Sequence, residues 1–419
     1  MDPGKIWLQV DPGPGSLPAR GWKLHLSATP FSAEEILART VPLLIEEGCS
    51  FKVAASQQVL VDLNQGAAGL SQIGKFMTVY PESEAQAVAV ARVLDERTRG
   101  LRGPRVPSDR PLGPGSLVHY RYGDLFPDGS EIAADGKRSL RAVDAPEDPF
   151  VRAGMATEPK TQLVAGRYLI TSTLHRSVRG AIHLAIDVPN SETCILKRAW
   201  RDGNMMPDGR DARDRLREEA SLLERLGPHT AFPKVHGLVE HDLDLVLVMD
   251  YVRGQTFSKH VHEMHGIGQP PSDETIGTWA GQLADAIERI HSTGFVHRDL
   301  NPENVIVRDD RSIALIDLEL AMEQGGRNED YLAGTPGYMS PGQAKGEAAT
   351  IADDVYAIGA LLYLAIAGQS LDPTTEGSSE LGALGLNRSD KLVGLVASCL
   401  RANPSERPSS GAEVRALLS

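Results

Sequence analysis

Eight consecutive residues, His297-Arg298-Asp299-Leu300-Asn301-Pro302-Glu303-Asn304, set a carboxylate and a carboxamide five positions apart in a polar loop. A carboxylate such as Asp299 can accept a hydrogen bond from a hydroxyl and take its proton. A carboxamide oxygen such as that of Asn304 is a hard donor suited to magnesium. The apolar run Val305-Ile306-Val307 just after them reads as a short buried strand that fixes the loop. A second set of reactive side chains lies far upstream. Lys23 and His25 alternate within a strand-like stretch and share one face, while Lys52, Lys75, Arg110 and Arg121 stand in separate strand-like or stiff segments. If these converge, they form a cationic pocket suited to a phosphate dianion. Like-charge repulsion there would depress the lysines enough for one to serve as a general base, and a histidine beside phosphate would be held protonated as an acid. Taken singly, each is an ordinary surface charge and His25 a packed histidine, so the spacing alone leaves the choice open.

The elements that must position these groups follow from periodicity. Residues 1–20, rich in Pro and Gly, read as an entry arm, and Trp22-Lys23-Leu24-His25-Leu26-Ser27 as a strand. Ser32-Ala33-Glu34-Glu35 has a capping-box-like form and opens a helix carrying Ile36, Leu37, Val41, Leu44 and Ile45. Phe51–Val53 and Lys75–Tyr80 read as strands and Glu82–Arg97 as an amphipathic helix. Gly103–Pro111 is a stiff loop before Leu117–Tyr122. Residues 124–162 lack periodicity and read as a linker that packs on its neighbours. A second unit starts near Tyr168 with strands at 168–174, 180–186 and 194–199, a helix over 211–226, two further strands around 245–249, and mainly helices after Gly254 apart from the strands beside the 297–304 loop.

The bounds agree with two globular units. At about 150 residues per domain, 419 residues suggest two or three domains. The net charge of -13 lies wholly after residue 125, because residues 1–125 carry 13 basic and 13 acidic side chains. Such an acidic chain argues against general nucleic-acid binding. Cys49, Cys194 and Cys399 are far apart and lack metal-ligand spacing, which points to free thiols. There is no apolar signal-peptide core, and the apolar stretch Val355–Ala367 is too short to span a bilayer. The expectation is a cytoplasmic protein with no membrane partner.

The loop at 297–304 fits the pattern H-R-D-L-x-x-x-N at all five fixed positions. With Cys194-Ile195-Leu196-Lys197, Glu218-Glu219-Ala220-Ser221, Ile316-Asp317-Leu318-Glu319, Gly334-Thr335-Pro336-Gly337-Tyr338, Asp354-Val355-Tyr356 and Arg407-Pro408, it makes roughly residues 165–419 resemble eukaryotic-type Ser/Thr protein kinases. That resemblance implies ATP and Mg2+ as cofactors, with Asp299 as catalytic base and Asn304 and Asp317 as metal ligands. It implies Lys197, Glu219 (Glu218 is its rival), Gly180, Met249, Asp250 and Val252 at the nucleotide. Arg176-Ser177-Val178-Arg179 replaces the other glycines of the phosphate loop, Asn301 replaces a lysine, Asp-Leu-Glu replaces Asp-Phe-Gly, and Ser-Pro-Gly replaces Ala-Pro-Glu. A degenerate kinase that only binds is the alternative these departures raise.

Gly21–Ala28, Phe51-Lys52, Gly74–Pro81, Ser108-Asp109-Arg110-Pro111 and Val118–Gly123 resemble the lyase domain of class III and class IV lanthipeptide synthetases, which is related to the bacterial phosphothreonine lyases. The resemblance implies that Lys52 removes the α-proton of a phosphorylated Ser or Thr and His25 protonates the departing phosphate. Lys23, Lys75 and one or both of Arg110 and Arg121 would bind that phosphate. The related lyases also carry an arginine between the equivalents of Lys52 and Lys75, and residues 53–74 contain none.

The expected fold class is α+β with two domains, a small α/β phosphothreonine-lyase-like domain followed by a bilobal protein-kinase fold. Its expected boundaries are 1–123 for the lyase, 124–162 for the linker and 163–419 for the kinase, split near 250 between small and large lobes. The expected function is a bifunctional dehydratase acting on a ribosomal precursor peptide with a leader. A signalling kinase or pseudokinase scaffold with a non-catalytic N-terminal binding domain is the alternative. The family continues into a cyclase with a zinc-ligand cluster; here a longer chain or a two-domain enzyme is expected, with a separate cyclase as a possible partner.

Overall fold

The computed structural model describes residues 6–12, 17–125, 146–157, 163–327, 334–372 and 388–418. The chain divides into two compact units, Met1–Leu216 with Leu238–Val248, and Arg217–Gly237 with Met249–Ser419. Of the expected linker, 126–145 and 158–162 lie outside the described residues.

In the first unit, six strands form one antiparallel sheet in the order β1-β3-β4-β2-β6-β5. They are β1 (Trp7–Val10), β2 (Arg20–Leu26), β3 (Ser50–Ala54), β4 (Met77–Tyr80), β5 (Arg110–Pro111) and β6 (Val118–Asp124). Alternation sends Leu24, Leu26, Phe51, Met77, Val79 and Tyr120 to one face. They pack there with residues of α1 (Ala33–Glu46), α2 (Gln57–Asn64) and α3 (Glu84–Thr98), including Ile36, Leu60, Val90 and Leu94. Each fully buried Leu or Phe contributes about 1.5–3 kcal/mol, so this face carries the domain.

The expected capping box of α1 is not formed. The Ser32 hydroxyl instead donates to the Arg102 carbonyl at 2.5 Å and accepts from the Thr29 N–H at 2.9 Å. Its bond to a distant strand-connecting segment has replaced the local one. Part of the stretch expected as a linker joins the core of this domain, with Phe150 and Ala156 among its buried residues. Asp148 caps α4 (Pro149–Arg152), and the Phe150 ring lies 4.1 Å from Tyr120 and 5.5 Å from Trp22, inside the N-terminal core.

The five-stranded sheet has the order β10-β11-β9-β8-β7, built from β7 (Tyr168–Arg176), β8 (Gly180–Asp187), β9 (Glu192–Ala199), β10 (Val235–His241) and β11 (Asp244–Asp250). Its core holds Tyr168, Ala185, Cys194, Leu196, Val246 and Val248. Helix α5 (Ala212–Leu226) follows β9.

The second unit is mainly helical: α6 (Phe257–Gly266), α7 (Asp273–His291), α8 (Pro341–Ala344), α9 (Ile351–Ala367), α10 (Asp390–Cys399) and α11 (Gly411–Ala416). Short strands β12 (Gln255–Thr256), β13 (Phe295–Val296), β14 (Val305–Val307), β15 (Ile313–Leu315) and β16 (Met322–Glu323) accompany them. Helix α9, built on the apolar run read from the sequence, is buried from Asp353 to Ile366 and ends at Gly368 in a left-handed conformation. No helix among the described residues is long and apolar enough to cross a membrane.

Candidate active sites

The second face of the N-terminal sheet carries charge and is nevertheless buried. Register places Lys52, Thr78, His25 and His119 in one row across β3, β4, β2 and β6. Lys23 and Arg121 are paired in the next row. Lys23, His25, Lys75, Thr78 and His119 are all under 9% exposed, unusual for a polar face and a sign of a built site. Lys75 reaches it through Gly74, whose φ of +75° and approach to the Arg105 carbonyl, 2.5 Å from where a Cβ would sit, exclude a side chain.

At the centre stands a residue to which the sequence reading gave no role. Asp109 is fully buried and meets His25 Nδ1 through Oδ2, while its Oδ1 lies 3.8 Å from Lys75 Nζ and 3.6 Å from Arg121 Nε. Burial pushes the Asp109 carboxyl up, but His25, Lys75 and Arg121 together hold it well below the usual range. His25 is lowered to about 3, chiefly by burial, with Lys75 and Arg121 acting the same way against the pull of Asp109. The ring is therefore neutral near pH 7, and Lys75 and Arg121 keep Asp109 ionised. His119, lowered to about 4 by burial, accepts from the Val106 N–H at Nε2 (3.4 Å), with Nδ1 3.2 Å from the Leu117 carbonyl.

Arg110 stands apart from this cluster. It pairs with Tyr120 in register, on the core face, and its guanidinium meets Asp148 at 2.6 Å and the Thr157 carbonyl at 3.1 Å. Lys52 lies two strands from His25, about 10 Å away, with its Nζ 4.8 Å from the Trp7 ring centroid. Lys23 Nζ lies 5.7 Å from the Tyr80 ring.

The second constellation is built on Asp354, wholly buried in α9. It accepts from the backbone N–H of His297 (2.8 Å) and of Arg298 (2.9 Å) and from His291 Nε2 (2.8 Å). These bonds hold Arg298 at a φ of +65°, a conformation that costs a side-chain-bearing residue energy. Asp299 is thereby presented with Oδ1 accepting from Thr335 (2.7 Å) and Oδ2 from Asn304 (3.1 Å). Asn301 braces the turn: Oδ1 accepts from the Glu303 and Asn304 N–H groups, and Nδ2 donates to the Thr335 hydroxyl at 3.0 Å. Burial raises the Asp299 pKa, opposed by the bonds from Thr335 and Asn301 and assisted by Asp317.

The β14–β15 hairpin brings Asp317 beside Asn304, since the Ile316 N–H donates to the Asn304 carbonyl at 3.1 Å. A carboxylate and a carboxamide so placed fit a divalent cation, whose charge would also relieve the repulsion between Asp299 and Asp317. Glu219 is buried, and its Oε1 accepts from the Leu318 N–H at 3.3 Å, while Glu218 is exposed. Met249 is buried in β11, Asp250 is exposed with Oδ1 2.7 Å from His236 Nε2, and Val252 is half-buried.

In the first unit, Lys197 is half-buried on β9 opposite Ile182. Gly180 has a reason of its own: a Cβ there would lie 1.7 Å from the Arg198 carbonyl oxygen, so the close approach of β9 requires glycine. The loop before it is closed by the Ser177 N–H to the Gly180 carbonyl (2.9 Å) and by Trp200 Nε1 to the Ser177 carbonyl (3.3 Å). Asp109, His119, Thr335 and Asp354 are therefore the site groups that spacing did not assign.

Residues 1–154 match the family model described as RamC, N-terminal domain, and residues 178–417 the model described as protein kinase domain. The chain is 32% identical over 386 residues to the "Probable SapB synthase" of Streptomyces coelicolor, which covers 85% of this chain and 40% of that protein. It is 30% identical over 274 residues to serine/threonine-protein kinase PkaA of the same organism, covering 59% of this chain and 48% of that one. The chain thus spans less than half the length of these curated relatives. The structure of the Cydia pomonella granulovirus kinase PK-1 superposes with a TM-score of 0.50 at 19% identity, over 61% of this chain and 96% of that one, which supports the kinase fold. The lanthipeptide-synthetase resemblance read from the sequence agrees with these matches.

Proposed function

This chain belongs to the protein kinase family, with a RamC N-terminal domain ahead of its kinase domain, and on that premise we propose that it is a two-step dehydratase of peptide Ser and Thr. In the first step Asp299 accepts the proton of the peptide hydroxyl as that oxygen takes up the phosphoryl group. Asn304 and Asp317 would hold the metal, and Lys197 would serve the nucleotide phosphates, the role the kinase resemblance gives it. ATP would supply the γ-phosphoryl group, its bond to the β-phosphate oxygen breaking so that ADP leaves with the bonding pair, and magnesium, when bound, would neutralise the phosphate charge.

In the second step Lys52 removes the α-proton as a neutral amine. The electron pair forms the Cα–Cβ double bond, the Cβ–O bond breaks, and phosphate leaves with that bonding pair and a proton from His25. Lys23, Lys75 and Arg121 bind the phosphate. A dianion beside His25 adds negative charge to a ring that burial otherwise keeps neutral, which favours its protonated form in the complex. The products are dehydroalanine and dehydrobutyrine. Phosphorylation is the chemical premise of elimination, because hydroxide is a poor leaving group and phosphate a good one. Keeping both sites on one chain raises the local concentration of the phosphopeptide.

The observation that carries this reading is the buried cationic face of the N-terminal sheet, where His25, Lys75 and Arg121 converge on one anion-sized position now filled by Asp109. Mass spectrometry of a Ser/Thr-containing precursor peptide incubated with protein, ATP and magnesium tests it. Dehydrated peptide is expected from the unaltered chain, phosphopeptide from Lys52→Ala, and unmodified peptide from Asp299→Asn. Dehydration by Lys52→Ala at the unaltered rate would refute the lyase assignment.

A further inference from the structure

Two arginines of the segment between α3 and β5, Arg102 and Arg105, end on carboxylates of the kinase domain, all within the first unit. Arg102 Nη2 lies 2.6 Å from Asp202 Oδ1 and 3.6 Å from Asp211 Oδ2, and the Gly103 N–H donates to Asp202 Oδ2 at 3.2 Å. Arg105 Nη2 lies 3.1 Å from Asp244 Oδ2, and its guanidinium stands 5.3 Å from the Trp200 ring. The side chains of Asp202, Asp211 and Asp244 are each 1% exposed. The kinase domain supplies further cations of its own: Arg213 to Asp211, Arg201 to Asp202 and Arg198 to Asp244.

These carboxylates organise the chain between β9 and α5. Asp211 Oδ2 accepts from the Asp202 N–H at 2.9 Å and Oδ1 from the Arg213 N–H at 2.8 Å, fixing the first turn of the helix that carries Glu219. Asp244 Oδ1 accepts from the Arg201 N–H at 2.9 Å, just beyond the strand that carries Lys197. The phosphate-loop equivalent is touched as well: a Cβ on Gly66 would lie 3.1 Å from Val178 Cγ1. The carbonyl of Arg102 is itself held by Ser32 and Thr29. Removing one cation from a buried carboxylate node leaves charge uncompensated, and the backbone that node holds loosens.

We infer that Arg102 and Arg105 are positioning residues for phosphoryl transfer, through which the N-terminal domain sets the β9–α5 connection. The inference rests on the kinase step proposed above. The peptide phosphorylation site therefore depends on a domain whose own chemistry is elimination.

The test uses the full chain with Arg102→Ala, Arg105→Ala, the pair, and the Lys variants of each. Three readouts are taken: phosphorylation kcat and KM for ATP, elimination from a synthetic phosphopeptide, and amide exchange over residues 200–216. The alanine variants should lose roughly 3- to 30-fold in phosphorylation kcat/KM, exchange faster over 200–216, and eliminate phosphate as the unaltered chain does. The lysine variants should recover part of the loss. Unchanged kcat, KM and exchange in the paired alanine variant would overturn the inference. So would a parallel fall of both activities with melting temperature, the mark of a merely structural role. If the unaltered chain phosphorylates no peptide, the proposed function fails instead. The clamp is then judged by exchange and by the Kd for ATP: a shift in both supports it, and no shift overturns it.

Discussion

Acidification should unfold the N-terminal sheet from its charged face, because His25 and His119 are cross-strand neighbours and both buried neutral. Burial lowers them from 6.5 to about 3 and about 4. Below 6.5 the unfolded chain therefore binds protons that the folded chain refuses, so stability is full above that value and falls as pH drops. At pH 5 each histidine costs about 2 kcal/mol, and the pair about 4 kcal/mol. Asp109 does not offset this. Its depressed carboxyl contributes stability that is lost only as pH falls below its ordinary 3.8. For a domain of this size the two histidines together correspond to about 10 °C in melting temperature. Scanning calorimetry at pH 8 and pH 5 would measure it in the unaltered chain and in a His25→Gln/His119→Gln variant. His183 and His260, also lowered by burial, titrate in both chains and cancel in the difference. An equal pH-dependent drop in the two chains would refute the reasoning.

Two further outcomes separate residues of similar type. Arg121→Gln should raise the KM for phosphopeptide elimination about tenfold or more, whereas Arg110→Gln, which breaks the contact with Asp148, should lower melting temperature with KM unchanged; steady-state kinetics and calorimetry distinguish them. Gly180→Ala should destabilise the small-lobe sheet by about 1–3 kcal/mol, because its Cβ would meet the Arg198 carbonyl at 1.7 Å; denaturant unfolding followed by Trp200 fluorescence checks it.

Strand and helix positions were legible where alternation or a long apolar run left one reading, as in β2 and α9. Pairing partners were not, since register is set by contacts far apart in sequence. That is why Arg110 and Arg121, equal candidates in the sequence, lie on opposite faces. Asp109 gave no signal because a carboxylate in a Pro-rich loop is ordinary until two cations and a neutral imidazole converge on it. The choice between Glu218 and Glu219 was available from periodicity. Glu219 lies three residues after Leu216 and four before Leu223, both buried, and so belongs to the inward stripe of α5. Gly180 was legible as a kept glycine, but its cause, the approach of a neighbouring backbone, was not.

The sheet order of the N-terminal domain has one further consequence. Its two margins are the four-residue β1 and the two-residue β5, which closes with Pro111. A strand at the margin offers unpaired N–H and C=O groups on which another chain can template, and long, flat margins invite aggregation. Here the long strands β2 and β6 are interior or partly covered, and proline removes a donor from one margin. Among the described residues, a peptide brought to the charged face in the proposed elimination would thus find little ladder along which to add as a seventh strand.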